Sequence, residues 1–424
     1  MPREIPPGDL DFSSLIRPGE TLCWGQASAE PLTLTETLMA QRHDLGGVSV
    51  FAGIGWNTTT DPAHADVIRF TAYGGTGRTR LLHDAGVMDP LPVHYSQFET
   101  YLPQRVDVLF LQLAPGRRPG TYSFGLACEY LWPLIKSSRL VVAELNDRVP
   151  PTPALVEIAA EDIDVVVATS RPLQDPPLAA VTDTHRSIAR LVAGLIPDGA
   201  TLQVGLGAIP AAILDALDGH RHLGVHTGLY VDGFTRLVER GVIDNSRKPF
   251  DAGLSVAGLI AATAPTHRLC AETDLIALAP TSHTHALGNL GRIEGFTSIN
   301  SAIEVDLTGQ INAETAGQSY VGAVGGGPDF ARGAALAPRG LPICALPAAR
   351  RTREGALISA IVPQLSGPVS LSRADAGVIV TEFGVADLRG RTLSERARAM
   401  VAIAHPDLRD ELERAARDQG LLRL

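Results

Sequence analysis

Bare glycine backbone, two histidine-bearing segments and a few isolated carboxylates are the parts of this chain with chemistry to offer, and most of them lie past residue 200. The stretch 200–233 reads ATLQVGLGAIPAAILDALDGHRHLGVHTGLYVDG. Gly205 and Gly207 permit a sharp turn where a Cβ would clash, and a second loop, 227–233, leaves the next apolar run with Asp232 and Gly233 at its end. Further on, Pro280-Thr281-Ser282-His283-Thr284-His285 offers two imidazoles to a metal. No third ligand accompanies them and neutral loop histidines are the commoner case, so no metal is expected. Glu304 and Asp306 sit on an expected hairpin, where a solvated or salt-bridged acid is the ordinary reading and a functional one the alternative. Gly322-Ala323-Val324-Gly325-Gly326-Gly327 is too glycine-rich for a strand; it is either a flexible turn or a place where a ligand meets bare backbone.

The elements that must carry these groups are those of an open α/β sheet. Residues 202–204 form a strand, Pro210 suits the first turn of a helix whose Ile209, Ile213, Leu214 and Leu217 recur at helical spacing, and 223–226 form the next strand. Such a unit brings the turn after the first strand and the loop after the second to one edge of a parallel sheet, where ligands usually bind. The segment LIRPGETLCWG at 15–25 returns as LIPDGATLQVG at 195–205, with six of eleven positions identical. Each copy leads into a helix (32–42 or 209–217) and then a strand (48–51 or 223–226), so the halves read as two versions of one α/β domain. The junction falls near 182–188, just past Pro172, Pro176 and Pro177, which gives domains over 1–185 and 186–424. Apolar runs at 106–113, 140–145 and 165–168 supply further strands to the first, and 275–279, 343–346 and 377–381 to the second. Residues 299–305 and 311–312 suggest the hairpin, and Thr392-Leu393-Ser394-Glu395 has capping-box spacing before a helix through Met400 and Ile403.

Composition excludes several classes. Hydrophobic residues make up 45% and charged residues 19%, so no long polar tract argues for disorder. The net charge is −10 and Lys136 and Lys248 are the only lysines, which speaks against nucleic acid or an anionic membrane as partner. Neither a basic-then-apolar leader nor an apolar run near the roughly 20 residues of a membrane span is present, so a cytoplasmic location is expected. Cys23, Cys128, Cys270 and Cys344 are widely scattered and read as buried thiols.

Several segments together resemble the acetyl-CoA hydrolase/transferase family, which includes 4-hydroxybutyrate CoA-transferase: VDVLFLQLAPG and SFGLACEY in the first half, and GLGAIP, SINSAIEVDLTGQINAE, VGGGPDFARGA and VTEFGVADLRGRTLSERARAMVAIAHPDLRDEL in the second. The resemblance implies tandem α/β domains of the CoA-transferase type with the active site between them, acyl-CoA as substrate beside a small-molecule acceptor, and a homo-oligomer. It implies CoA contacts from Gly205, Leu206, Gly207, Ala208, Ile209, Ile303 and Gly326. Arg332, Arg350, Arg351 and Arg353 could meet CoA phosphates or be surface charges. Members of the family transfer CoA through a glutamate in a motif resembling HTE, two residues, then DG; here the segment is His226-Thr227-Gly228-Leu229-Tyr230-Val231-Asp232-Gly233, with Gly228 at the glutamate's place. Gly325-Gly326-Gly327 stands where relatives tend to read GGQ.

A glycine carries no nucleophile. Three expectations follow: direct acyl transfer from CoA to an acceptor or to water through the volume that the missing side chain vacates, CoA transfer by a relocated carboxylate such as Glu30, Glu99 or Glu304, or a non-catalytic CoA-thioester binding protein. For the first, His226 and Asp232 are the nearest candidate proton acceptors, with Glu30 and Glu99 more distant ones, and each is at least as readily structural.

Overall fold

A computed structural model describes residues 1–177, 180–352 and 355–422. Two sheets carry the chain. Along the first the strands run Met88–Pro90, Ile68–Ala72, Val48–Ala52, Thr21–Trp24, Val108–Pro115, Leu140–Asn146, Val165–Thr169 and Arg3–Glu4, with every neighbouring pair parallel. Along the second they run Ile276–Leu278, Ser255–Ile260, Gly224–Tyr230, Thr201–Val204, Phe296–Asn300, Leu341–Ala345, Val378–Thr381 and Gly384–Asp387, parallel except for the last pair. In both, the strand that ends the repeated motif lies in the middle, the next three strands stack outward on one flank, and the chain then returns to build the other flank. The duplication expected from eleven residues is thus present in the strand order of the two halves.

Interior strands form where the sequence is apolar on both faces. Val108–Pro115, VLFLQLAP, is buried except at Pro115, as a strand covered on both sides must be. The helix Ala208–Asp215 begins just after Gly207, whose φ of 128° a side chain would resist, and Pro210 sits in its first turn. The helix Leu32–Gln41 follows its strand in the same way. The four cysteines are free and buried. Thr392 caps the helix Leu393–Ile403 in the reciprocal arrangement its spacing predicts.

Three local expectations are corrected. Residues 227–230 belong to the strand Gly224–Tyr230 rather than to a loop, because the ladder to Ser255–Ile260 continues through Leu229 opposite Leu259 and Tyr230 opposite Ile260. The run 299–305 is broken: Phe296–Asn300 is an interior parallel strand, and only Glu304–Asp306 pairs with Ile311–Asn312 in the hairpin. His283 lies on a one-turn helix, Thr281–Thr284, rather than in a loop.

The halves share packing as well as topology. One hydrophobic core runs from Leu109, Leu111 and Tyr130 in the first half to Val204, Tyr230 and Leu259 in the second. A segment of the first half also crosses to the second sheet: Cys128 N donates to Gly258 O (3.0 Å) and Ile260 N to Leu126 O (2.7 Å). That crossing positions the site.

Candidate active site

The central strand of each sheet is where the chain reverses its direction of growth, and open α/β sheets bind ligands at the carboxyl ends of such strands. Here the two reversal points face one cleft of about 180 Å3. The first half lines it with Gln26, just past its central strand, and with Ile54, Tyr73, Tyr95 and Glu129. The second lines it with Gln203 to Gly205, Gly228, Leu229, His285, Asn300, Gly325 to Gly327 and Phe330.

Glu129 is the one carboxylate in that lining, and it stands on the crossing segment. Its Cβ lies 3.3 Å from where a Cβ on Gly258 would be, and the carbonyl of Gly228 lies 3.2 Å from the same point, so a side chain at 258 would crowd both. Tyr95 Oη donates to Oε2 at 2.5 Å, and Gln26 Nε2 donates to both oxygens at 2.9 and 3.0 Å. Gln26 is in turn oriented by Tyr73 Oη and the amide of Ile54, both donating to its Oε1. Burial penalises the charged form more than these donors stabilise it, and the carboxyl pKa rises to about 7. The backbone of Glu129 is held at φ 27°, a costly conformation for a residue with a side chain, of the kind that concentrates at functional sites.

Gly228 faces His285. A Cβ there would lie 3.0 Å from His285 Cε1 and 3.5 Å from Phe330 Cε2. A Cβ on Gly326 would come within 2.6 Å of His285 Nε2. The imidazole therefore packs against two bare backbone positions, stacked on Tyr95 at 4.8 Å between ring centroids and beside Phe330 at 4.4 Å. Burial pushes its pKa down to about 3, so it is neutral. The space at position 228 is narrow: the glycine borders the cleft, but a side chain there would press on this ring.

The other expected residues are dispersed. His226 is fully buried outside the cleft lining. Asp232 accepts from Thr263 N and Thr266 Oγ1, at the start of the helix Ala264–Glu272. Glu30 is buried among Thr35, Asn57 and Thr59, which donate to it, and Glu99 accepts from the amide of Ser282. Glu304, on the hairpin, accepts from Asn312 and Ser366, and Asp306 closes its own turn through Thr308 and Gln310. Of the expected CoA contacts, Gly205 and Gly326 line the cleft; Leu206 is exposed, Gly207, Ala208 and Ile209 open the adjoining helix, and Ile303 bonds backbone to backbone with Asn312. Arg332 lies 3.9 Å from Asp375, Arg350 and Arg351 are exposed on a hairpin, and Arg353 lies outside the described residues.

The sequence reading passed over Glu129 and met His285 only as a possible metal ligand. The available signal was a lone acid inside the apolar run Leu126-Ala127-Cys128-Glu129-Tyr130-Leu131, since an unpaired charge is seldom buried without purpose.

Residues 10–175 match the acetyl-CoA hydrolase/transferase N-terminal domain, and 265–416 the C-terminal domain of the same family. The 4-hydroxybutyrate coenzyme A transferase of Clostridium kluyveri is 32% identical over 94% of this chain and 94% of its own length. The acetyl-CoA hydrolase of Saccharomyces cerevisiae is 31% identical over 61% of this chain and 51% of its own. The crystal structure of RipA from Yersinia pestis superposes with a TM-score of 0.91 at 29% identity, covering 99% of this chain and 98% of that one. The chain belongs to the acetyl-CoA hydrolase/transferase family, and with it to the enzymes that act as acyl-CoA transferases or thioester hydrolases. Among the described residues no helix is long and apolar enough to cross a membrane.

Proposed function

We propose that this enzyme binds an acyl-CoA in the cleft between its halves and passes the acyl group directly to a small acceptor or to water, with Glu129 as the general base. The observation that carries the reading is a buried carboxylate of pKa about 7 in the lining of a cleft that Gly228, a residue with no side chain, also borders. Position 228 holds glycine where the family resemblance sets a nucleophilic glutamate, so a covalent route from that position has no nucleophile.

In the step itself, an acceptor X–H attacks the thioester carbonyl while the Glu129 carboxylate takes its proton. The tetrahedral adduct then collapses, the C–S bond breaks, and the proton passes to the departing CoA thiolate, which returns Glu129 to its ionised form. A base with a pKa near the working pH suits both transfers. Tyr95 and Gln26 fix the carboxylate by donating to it. The amide of Gly327, the first residue of the helix Gly327–Leu336, has no helical acceptor, adjoins the cleft and suits a developing oxyanion.

A second reading is CoA transfer with Glu129 itself as the relocated nucleophile, favoured by the same placement. Its oxygens already accept three hydrogen bonds, which suits a proton carrier better than an attacking group. The deciding experiment incubates the protein with a panel of acyl-CoAs, with and without carboxylate, amine and alcohol acceptors, and follows free CoA and acyl products by mass spectrometry. Turnover without an adduct after borohydride or hydroxylamine treatment, reduced about 10²–10⁴-fold in Glu129→Gln, is the expected result. A trapped adduct on Glu129 establishes the second reading. Acyl-CoA bound but left intact would sink both and make the protein a CoA-thioester binder.

A further inference from the structure

Behind the cleft, on the same strand as Gly228, His226 is fully buried and neither ring nitrogen makes a hydrogen bond to any described residue. An unsatisfied buried imidazole is expensive and calls for a partner. Two other groups converge on it from separate segments. His283 comes from the helix Thr281–Thr284, and Asp251 from a residue held at φ 51° after the Lys248-Pro249-Phe250 turn. His283 Nε2 and Asp251 Oδ2 are 2.7 Å apart, and one ligating atom from each of the three residues lies within 4.8 Å of the others.

We propose that His226, His283 and Asp251 form a binding site for a divalent transition metal. Two imidazoles and one carboxylate are a donor set for zinc, cobalt or ferrous iron rather than for magnesium or calcium, which take oxygen. The backbone of His283 lies beside the His226 ring without making a hydrogen bond of normal geometry. A ligating histidine commonly gives its second ring N–H to such a carbonyl. The ring of Phe250 closes one side edge-on at 5.8 Å, while His283 and Asp251 are only partly buried, which leaves a path for an ion and a position for water. Lys248 is the unfavourable neighbour; its ammonium is held by the carbonyls of Val225 and Leu254 rather than by the cluster. The two histidines of the 280–285 segment therefore divide, His283 to this site and His285 to the cleft.

The site stands independently of the thioester chemistry, and its test needs no turnover. Chelator-stripped protein is dialysed against Co2+ and against Zn2+, and bound metal is measured by mass spectrometry, with the Co2+ ligand-field absorption as the signature of nitrogen coordination. One ion per chain, with affinity at least tenfold weaker in His283→Ala and in Asp251→Ala and unchanged in His43→Ala, is expected. Absence of stoichiometric binding by the parent protein, or equal binding in all three variants, overturns the proposal. Circular dichroism of the variants keeps loss of fold from standing in for loss of the site.

Discussion

Glu129 has two linked consequences for pH. Its carboxyl pKa is raised by burial from an ordinary 4.5 to about 7, so stability from the protonated form is complete below pH 4.5 and is lost as pH rises toward 7. The loss is about 3 kcal/mol at about 1.4 kcal/mol per unit. Glu129→Gln, neutral throughout, is expected to show almost none of that pH dependence when denaturant midpoints at pH 5 and pH 8 are compared with those of the parent. Activity runs the other way: the parent rate rises through pH 7 as the base ionises, and the residual rate of Glu129→Gln is flat. A parent profile without that limb would exclude Glu129 as the base. At Gly228, alanine must press against His285, an overpacking cost of about 1–3 kcal/mol. His285→Ala in the same chain should recover most of it in a double-mutant cycle. For the same reason Gly228→Glu alone is expected to gain no CoA transfer.

At the scale of elements, legibility followed locality. The capping box at Thr392 and Glu395 was readable because all its atoms lie within one turn, and Thr392→Ala should lower stability by about 1 kcal/mol in chemical denaturation. The interior strands of both halves were readable from apolar density. The end of the strand Gly224–Tyr230 was not, since Gly228 reads as a breaker until Gly258 is found packed against its carbonyl. The hairpin at 304–312 was located, yet its first strand was taken too long because Ile299 belongs to another sheet. The candidate site was legible as an edge and a glycine turn, but its carboxylate arrives on a segment about 100 residues upstream of Gly228, paired across the halves, and no local pattern reports such a contact. Glu30, Glu99 and Glu304 were reasonable from charge alone, and each is occupied by hydroxyl or amide donors of its own.

For the whole molecule, a core shared by both sheets predicts that the halves melt together. Calorimetry should give a single endotherm, and two resolved transitions would mean that the interface is weaker than its packing implies. The repeated motif adds something else. Each copy leaves its central strand at a glycine and takes a left-handed residue two positions on, Ala27 at φ 55° and Gly207 at φ 128°. Between them, in matching positions, stand Gln26, which turns inward to hold Glu129, and Leu206, which is exposed. The cleft is thus walled by an ancestral edge and its own copy, and a duplicated edge is redundant. One copy presents bare backbone to the cleft while the other presents a polar side chain, so two walls built on one repeated motif offer a ligand different chemistry without any difference in fold.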